Sequence, residues 1–295
     1  MGYGSYSYEA HRAITKSRQG QTAAAVFSSG GVDPAMDPLG VKFRECRDSK
    51  ENPNSLGIVF ALDISGSMSN IPVQIATDQL PGFMKLLTDC DVADPQVLFM
   101  ALTDVQRDGR PLQVGQFETT AELMDQWLTR CTLRGGGDEL YELALHFVAR
   151  HTAMDCWEQR QKKGYLFMTG DEPANTTLSG ALVKKFIGTE VQDMPLEGVV
   201  QEVRRTFEPF FLIPDERRAR QAGGFWRKYL GESVICLEDP IDTCAASAAL
   251  VALGEGAVSG LEELERKLIE AGTPPERARA VGKAVRPWAM ATGRG

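Results

Sequence analysis

FALDISGSMSN, residues 60–70, decides the reading of this chain: it begins as an apolar run and then crowds one aspartate and three serines into the seven residues 63–69. The apolar part extends back to Ile58, and IVFAL (58–62) has the length and composition of a strand covered on both faces. In the turn that follows, Asp63, Ser65 and Ser67 stand at alternate positions, a spacing that directs a carboxylate and two hydroxyls toward one point. Hard oxygen ligands of this kind suit Mg²⁺ or Mn²⁺.

Further runs of the same kind are spaced along the chain: VLFMAL (97–102), YLFM (165–168), FFLI (210–213) and SVICL (233–237). Amphipathic segments separate them, the alternation expected of an α/β protein with a doubly wound, mostly parallel sheet and helices on both faces. PLQVGQF (111–117) follows its predecessor too closely for a parallel crossover and is expected to be an antiparallel edge strand, the sixth of the sheet. Helix signals lie between the strands. Asn70 and Pro72 start a helix that Pro81 should kink or end. Thr119 and Glu122 form a capping box, Leu140, Ala144, Phe147 and Val148 mark an inner helix face, and Asp239-Pro240 starts the last core helix.

Residues 1–55, with PAMDPLG and RDSKENPNS, read as an irregular arm over a core that occupies 56–258. Two Ser/Thr-x-x-Glu boxes, SGLE (259–262) and TPPE (273–276), then open a helical pair that fills 259–295.

Composition narrows the function. Among 295 residues 43% are hydrophobic, enough for a large core, and the net charge of −8 opposes a nucleic-acid backbone as partner. The N-terminus has neither a signal-peptide pattern nor a myristoylation site, since Tyr6 stands where Ser or Thr is needed, and no apolar run is long enough to span a bilayer. Six scattered cysteines without a CxxC pair read as reduced structural thiols, so the expectation is a cytoplasmic protein with no membrane or nucleic-acid partner. His146 and His151, five apart, do not share a helical face as HExxH does; ISGSM lacks a GxSxG elbow; GGGDE lacks the Lys-Ser/Thr of a phosphate loop. The basic groups of ERRARQ and FWRKY (216–229) read as a solvated helix face with its aromatics in the core.

An aspartate follows every parallel strand within a few residues: Asp63, Asp104, Asp171, Asp215 and Asp239. In a doubly wound sheet these positions share the carboxyl edge, where ligands bind. Asp215 and Asp239 are read as helix N-caps.

The Asp63-x-Ser65-x-Ser67 motif and its strand context resemble von Willebrand factor type A (vWA) domains, intracellular bacterial type, whose metal ion-dependent adhesion site (MIDAS) is built from DxSxS and two later loops. The resemblance covers about 56–258. It implies a Gly-rich loop, here LRGGGDELYELAL (133–145), in which the threonine ligand of the family falls on Gly137 or, with a one-residue slip, on Asp138. Asp138 is the one side chain of that glycine run able to bind a hard cation, and we read it as the replacement, whether or not it also caps the following helix. The other loop, FMTGDEP (167–173), supplies Asp171 in a Thr-Gly-Asp order instead of the family's commoner Thr-Asp-Gly. Asp104, in TDVQRD, is a further candidate.

The resemblance implies that Ser65 and Ser67 bind Mg²⁺ (or Mn²⁺ or Ca²⁺) directly while Asp63 and Asp171 hold its waters, leaving one position for a partner's Asp or Glu. The expected function is therefore a metal-dependent protein–protein interaction module, an adaptor or scaffold and not an enzyme, working with an AAA+ ATPase or in a multi-protein assembly, with self-association through the arm or tail. The alternatives are a Mg²⁺- or Mn²⁺-dependent hydrolase with Glu172 or Asp104 as base, and a self-assembling scaffold clamped by a structural metal.

Overall fold

The computed structural model describes residues 4–28, 31–66, 68, 70–103, 110–133 and 139–295. Six strands form the central sheet: β1 (Leu56–Asp63), β2 (Pro95–Leu102), β3 (Leu112–Val114), β4 (Gly164–Thr169), β5 (Phe207–Ile213) and β6 (Val234–Cys236), in the order β6-β5-β4-β1-β2-β3. All neighbours are parallel except β2 and β3, so the sheet is the mostly parallel one with an antiparallel edge strand that the apolar runs imply. The order reverses at β1, which places its carboxyl end at the switch point of the sheet.

The principal helices are α1 (Tyr8–Arg18), α2 (Leu80–Asp89), α3 (Ala121–Arg130), α4 (Tyr141–Arg150), α5 (Leu196–Thr206), α6 (Glu216–Leu230), α7 (Thr243–Gly254), α8 (Leu261–Glu270) and α9 (Pro275–Ala291). Because strand side chains alternate between faces, β1 is apolar on both sides: Ile58 and Phe60 pack with α2, α3 and α7, whereas Val59 and Ala61 pack with α4, α5 and α6. The C-terminal pair α8 and α9 joins the first of these cores, where Trp288 meets Phe210 edge-on at 5.2 Å.

The arm is not irregular throughout. Ser7 caps α1 by accepting from the Ala10 amide, Glu9 lies in its first turn and Lys16 and Arg18 in its last, an arrangement that favours a helix at both ends. Burial of His11 and Thr15 and a two-pronged ion pair from Arg18 to Asp125 of α3 then fasten it to the core. Arg44–Cys46 pairs in parallel with Thr152–Met154 outside the main sheet.

Several helix starts differ from their sequence signals by a residue. Thr120, not Thr119, caps α3 by accepting from the Leu123 amide; Thr119 is buried beside Glu118, which bridges to Val97 of β2. Ser259 bonds Glu263, not Glu262, through both its amide and its hydroxyl, and α9 begins at Pro275 with no side-chain cap from Thr273, proline needing no partner for its nitrogen. Pro81 neither ends nor breaks its helix: an α-helical turn at Asn70–Gln74 passes into a π-helical turn at Ile75–Gln79, and Pro81 then sits in the first turn of α2. The wider turn moves the Leu80 amide onto Ile75, so the register has already changed where proline cannot donate. No described helix is long and apolar enough to cross a membrane.

Candidate metal centre

Strand register brings the acids together. Leu62 of β1 lies opposite Thr169 of β4, so Asp63, one residue on, and Asp171, two beyond Thr169, emerge side by side at the carboxyl edge. Asp63 is fully buried. Its Oδ1 accepts from the Ser65 amide at 2.8 Å, a turn closed by the side chain of its own first residue, and its Oδ2 accepts from the Tyr141 hydroxyl at 2.6 Å. Burial pushes the Asp63 carboxyl up to about 6 and repulsion from Asp171 adds to this, against the lowering pull of Tyr141 and Ser65.

Tyr141 explains the Thr-Gly-Asp order. A Cβ on Gly170 would lie 2.5 Å from the Tyr141 hydroxyl and 2.6 Å from the Phe211 ring, so only glycine lets α4 approach closely enough for Tyr141 to reach Asp63. Asp171 follows this glycine, and its Oδ2 accepts from Arg218 Nε of α6 at 2.9 Å. Its Oδ1 is buried without a hydrogen-bond partner among the described residues.

Glu139 is a further acid at this edge. It is buried, its Oε2 has no partner among the described residues, and burial followed by repulsion from Asp63 pushes its carboxyl up to about 8. Its neighbour Asp138, together with Ser67 and Asp104, lies outside the described residues. Asp63, Ser65 and Asp171 are therefore the candidates that the described structure gathers. Asp215 and Asp239 do cap: Asp215 accepts from the Arg218 amide at 2.9 Å and Asp239 from the Ile241 amide at 2.9 Å.

A hard cation suits this edge. Asp171 Oδ1 and Glu139 Oε2 are buried and lack a donor among the described residues, and the carboxyls of Asp63, Asp171 and Glu139 repel one another; a divalent ion would satisfy the first and relieve the second. Among the described residues no three His, Cys, Asp or Glu side chains group closely enough to hold a metal on their own, so a cation at this edge would need hydroxyl or loop donors as well.

Tyr141, Glu139 and Arg218 were not singled out as site residues from the sequence. The only signal for Glu139 was a doubled acid after three glycines, and Arg218 lay within a basic cluster read as solvated. That reading holds for Arg217, Arg220, Arg227 and Lys228, which are exposed, and for Trp226, which is fully buried against Phe211, but not for Arg218, whose side chain is only 17% exposed and is held by Asp171 and Asp215.

The histidines lie apart from this edge. His146 is buried with neither ring nitrogen bonded among the described residues, and burial, then His151 and Arg150, lower it to about 4. A folded-state value below the ordinary one means that native stability is complete above pH 6.5 and is lost as the pH falls toward 4, because only the unfolded chain accepts the proton. His146→Leu is expected to lose about 2 kcal/mol less than the parent between neutral pH and pH ~4.5, by urea unfolding at both. Equal losses would contradict a neutral, buried imidazole.

No family model and no curated protein matches this sequence. Similar solved structures include the pilus adhesin SpaC from Lactobacillus rhamnosus GG in its open conformation (12% identity, TM-score 0.46, 74% of this chain and 31% of that one). They also include a von Willebrand factor type A protein from Catenulispora acidiphila (14%, 0.43, 69% and 43%). A third is proximal thread matrix protein 1 from the mussel byssus with a zinc-occupied MIDAS motif (12%, 0.43, 74% and 51%). The chain thus spans between 31% and 51% of the length of these structures.

Proposed function

We propose that this protein is a divalent-metal-dependent interaction module that captures an Asp or Glu of a protein partner at the carboxyl edge of its sheet. The observation that carries this reading is the buried pair Asp63 and Asp171 beside Ser65, with Asp171 Oδ1 left without a donor among the described residues at the point where strand order reverses. Ser65 and Ser67 would bind the ion directly, Asp63 and Asp171 would hold its waters, and Asp138 or Glu139 would supply the donor of the glycine loop. Mg²⁺ fits this set best, with Mn²⁺ and Ca²⁺ next, because the donors are all hard oxygens. The bound ion supplies a position for an incoming carboxylate. The chain's part is to orient the donors: Tyr141 and the Ser65 amide fix both oxygens of Asp63, and Gly170 admits Tyr141.

Such a contact is charge-assisted and directional, so it suits an adaptor or scaffold whose binding is switched by metal. Six scattered cysteines without a CxxC pair suit a reducing compartment, and a cytoplasmic assembly containing an AAA+ ATPase is the partner class we propose first.

Calorimetric titration with MgCl₂ tests the site. The parent protein is expected to bind and, at free Mg²⁺ about 100 times Kd, to gain about 2.7 kcal/mol of stability over its state in EDTA. Asp63→Asn can still meet Tyr141 and the Ser65 amide but carries no charge, so it should be at least as stable in EDTA and gain nothing from metal. Equal metal responses from the two proteins would refute the site.

A further inference from the structure

We infer that Arg218 is the resident cation of this edge and that a divalent ion binds by taking Asp171 away from its guanidinium, so that Arg218 sets the metal affinity of the site. This rests on the metal-binding reading above and adds to it a residue that the DxSxS pattern does not contain.

The placement of Arg218 is unusual for a basic residue. It lies in the first turn of α6, where the positive end of the helix dipole disfavours a cation, and helix formation alone therefore does not account for it. Among the described residues a pair of acids holds it. Nε donates to Asp171 Oδ2 at 2.9 Å, Nη1 pairs with Asp215 Oδ2, and the Arg218 amide donates to Asp215 Oδ1 at 2.9 Å. Nε and Nη1, which could grip one carboxylate with two parallel bonds, are instead divided between two acids that follow different strands.

That division has two consequences. Asp171 is bonded to Arg218 through one oxygen only, and its other oxygen is buried without a partner among the described residues, so the carboxylate is neutralised but half of it is still available to a cation. Arg218 can also release Asp171 without losing its anchor, because Asp215 caps the same helix and keeps its own pair with the guanidinium. With side chains only 17% and 9% exposed, Arg218 and Asp171 meet where water screens weakly, and a guanidinium and a divalent ion cannot both neighbour Asp171 there without strong repulsion. Ion entry and retention of the Arg218–Asp171 bond are therefore competing events. Without metal, Arg218 keeps the acids of the edge from destabilising the fold; with metal, it is the cost the ion has to overcome.

The test compares the parent chain, Arg218→Gln, Arg218→Lys and Asp63→Asn, each titrated calorimetrically with MgCl₂ and MnCl₂ and melted in EDTA and in metal. Arg218→Gln is expected to bind either ion about tenfold or more tighter than the parent, to melt lower in EDTA, and to show the larger rise on metal addition. Arg218→Lys keeps the charge without the fork and is expected to fall between the two; it also serves if the glutamine variant does not fold in EDTA, in which case tighter binding than the parent supports the exchange. Binding by Arg218→Gln where the parent shows none supports it as well. If the parent binds and Asp63→Asn does not, but neither Arg218 variant binds more tightly than the parent, the exchange is refuted while the metal site stands. Absence of binding in the parent and in both Arg218 variants refutes the site and the exchange together.

Discussion

Phe60→Ala is expected to cost about 3–5 kcal/mol of folding stability, the range for removing a fully buried phenylalanine and leaving a hole behind. Phe60 lies at the middle of the sheet's first core, with ring centroids 5.2 Å from Phe83 of α2, 5.7 Å from Phe99 of β2 and 5.4 Å from Phe167 of β4. These neighbours belong to three elements, each fixed by its own packing, so the cavity cannot close by the shift of a single side chain. Urea unfolding should show a lower midpoint with an unchanged slope, as a loss of native stability without a change in surface exposed requires. Phe60→Leu, which retains most of the apolar volume, should recover the greater part. A loss below about 1 kcal/mol for the alanine variant would mean that the core is far looser than described. Asp63 lies on the same strand three residues on, so a weakened β1 should also blunt the metal response.

Trp226→Ala is expected to be about as severe, again about 3–5 kcal/mol, but through the opposite face of the sheet. The indole is fully buried, stacked on Phe211 at 4.0 Å and edge-on to Tyr141 at 5.6 Å, and its Nε1 donates to the Glu172 carbonyl at 2.9 Å. It thus ties together α6, which carries Arg218, the loop that carries Asp171, and the ring whose hydroxyl fixes Asp63. Removal should abolish the stabilisation by Mg²⁺ as well as lower the melting temperature. Trp226→Phe keeps the stack and loses the donor, leaving the Glu172 carbonyl to find another; a cost of about 1–2 kcal/mol is expected. A fully retained metal response in Trp226→Ala would show that this aromatic bracket is not needed to align the edge.

What could be read from the chain alone follows from the range of the interactions involved. The strands were legible because each is a short run buried on both faces, and their mostly parallel pairing follows from such runs alternating with crossover helices, whereas their order in the sheet was not legible. That Asp63, Ser65 and Asp171 lie at the carboxyl edge was legible because each is within a few residues of a strand end. Tyr141 was not, since it reads as one more apolar residue of an inward-facing helix and its bond to Asp63 spans 78 residues of sequence. Arg218 was hidden in a cluster of basic residues whose pattern says solvent, and only the arrival of β4 beside β5 gives it a buried acid to hold. The departure from Thr-Asp-Gly was visible as a difference, but its cause is a steric contact between Gly170 and two rings from distant segments. The slip from Thr119 to Thr120 has the same origin, as tertiary burial chose between adjacent residues that local chemistry treats alike.

The wide turn at Ile75–Gln79 means that this helical segment has to be counted from both ends. A single extra residue accommodated there leaves the faces before and after it in phase with one core, Ile71 before the turn, Ile75 at its start, and Phe83, Met84 and Leu87 after it. Excising one residue would give a continuous α-helix but swing everything upstream through about 100°, carrying Ile71 away from the interior and twisting the chain that leads back to Asp63. Length, as much as identity, is thereby under constraint between the serine turn and Pro81: substitutions in this interval should be absorbed far more readily than a deletion of one residue.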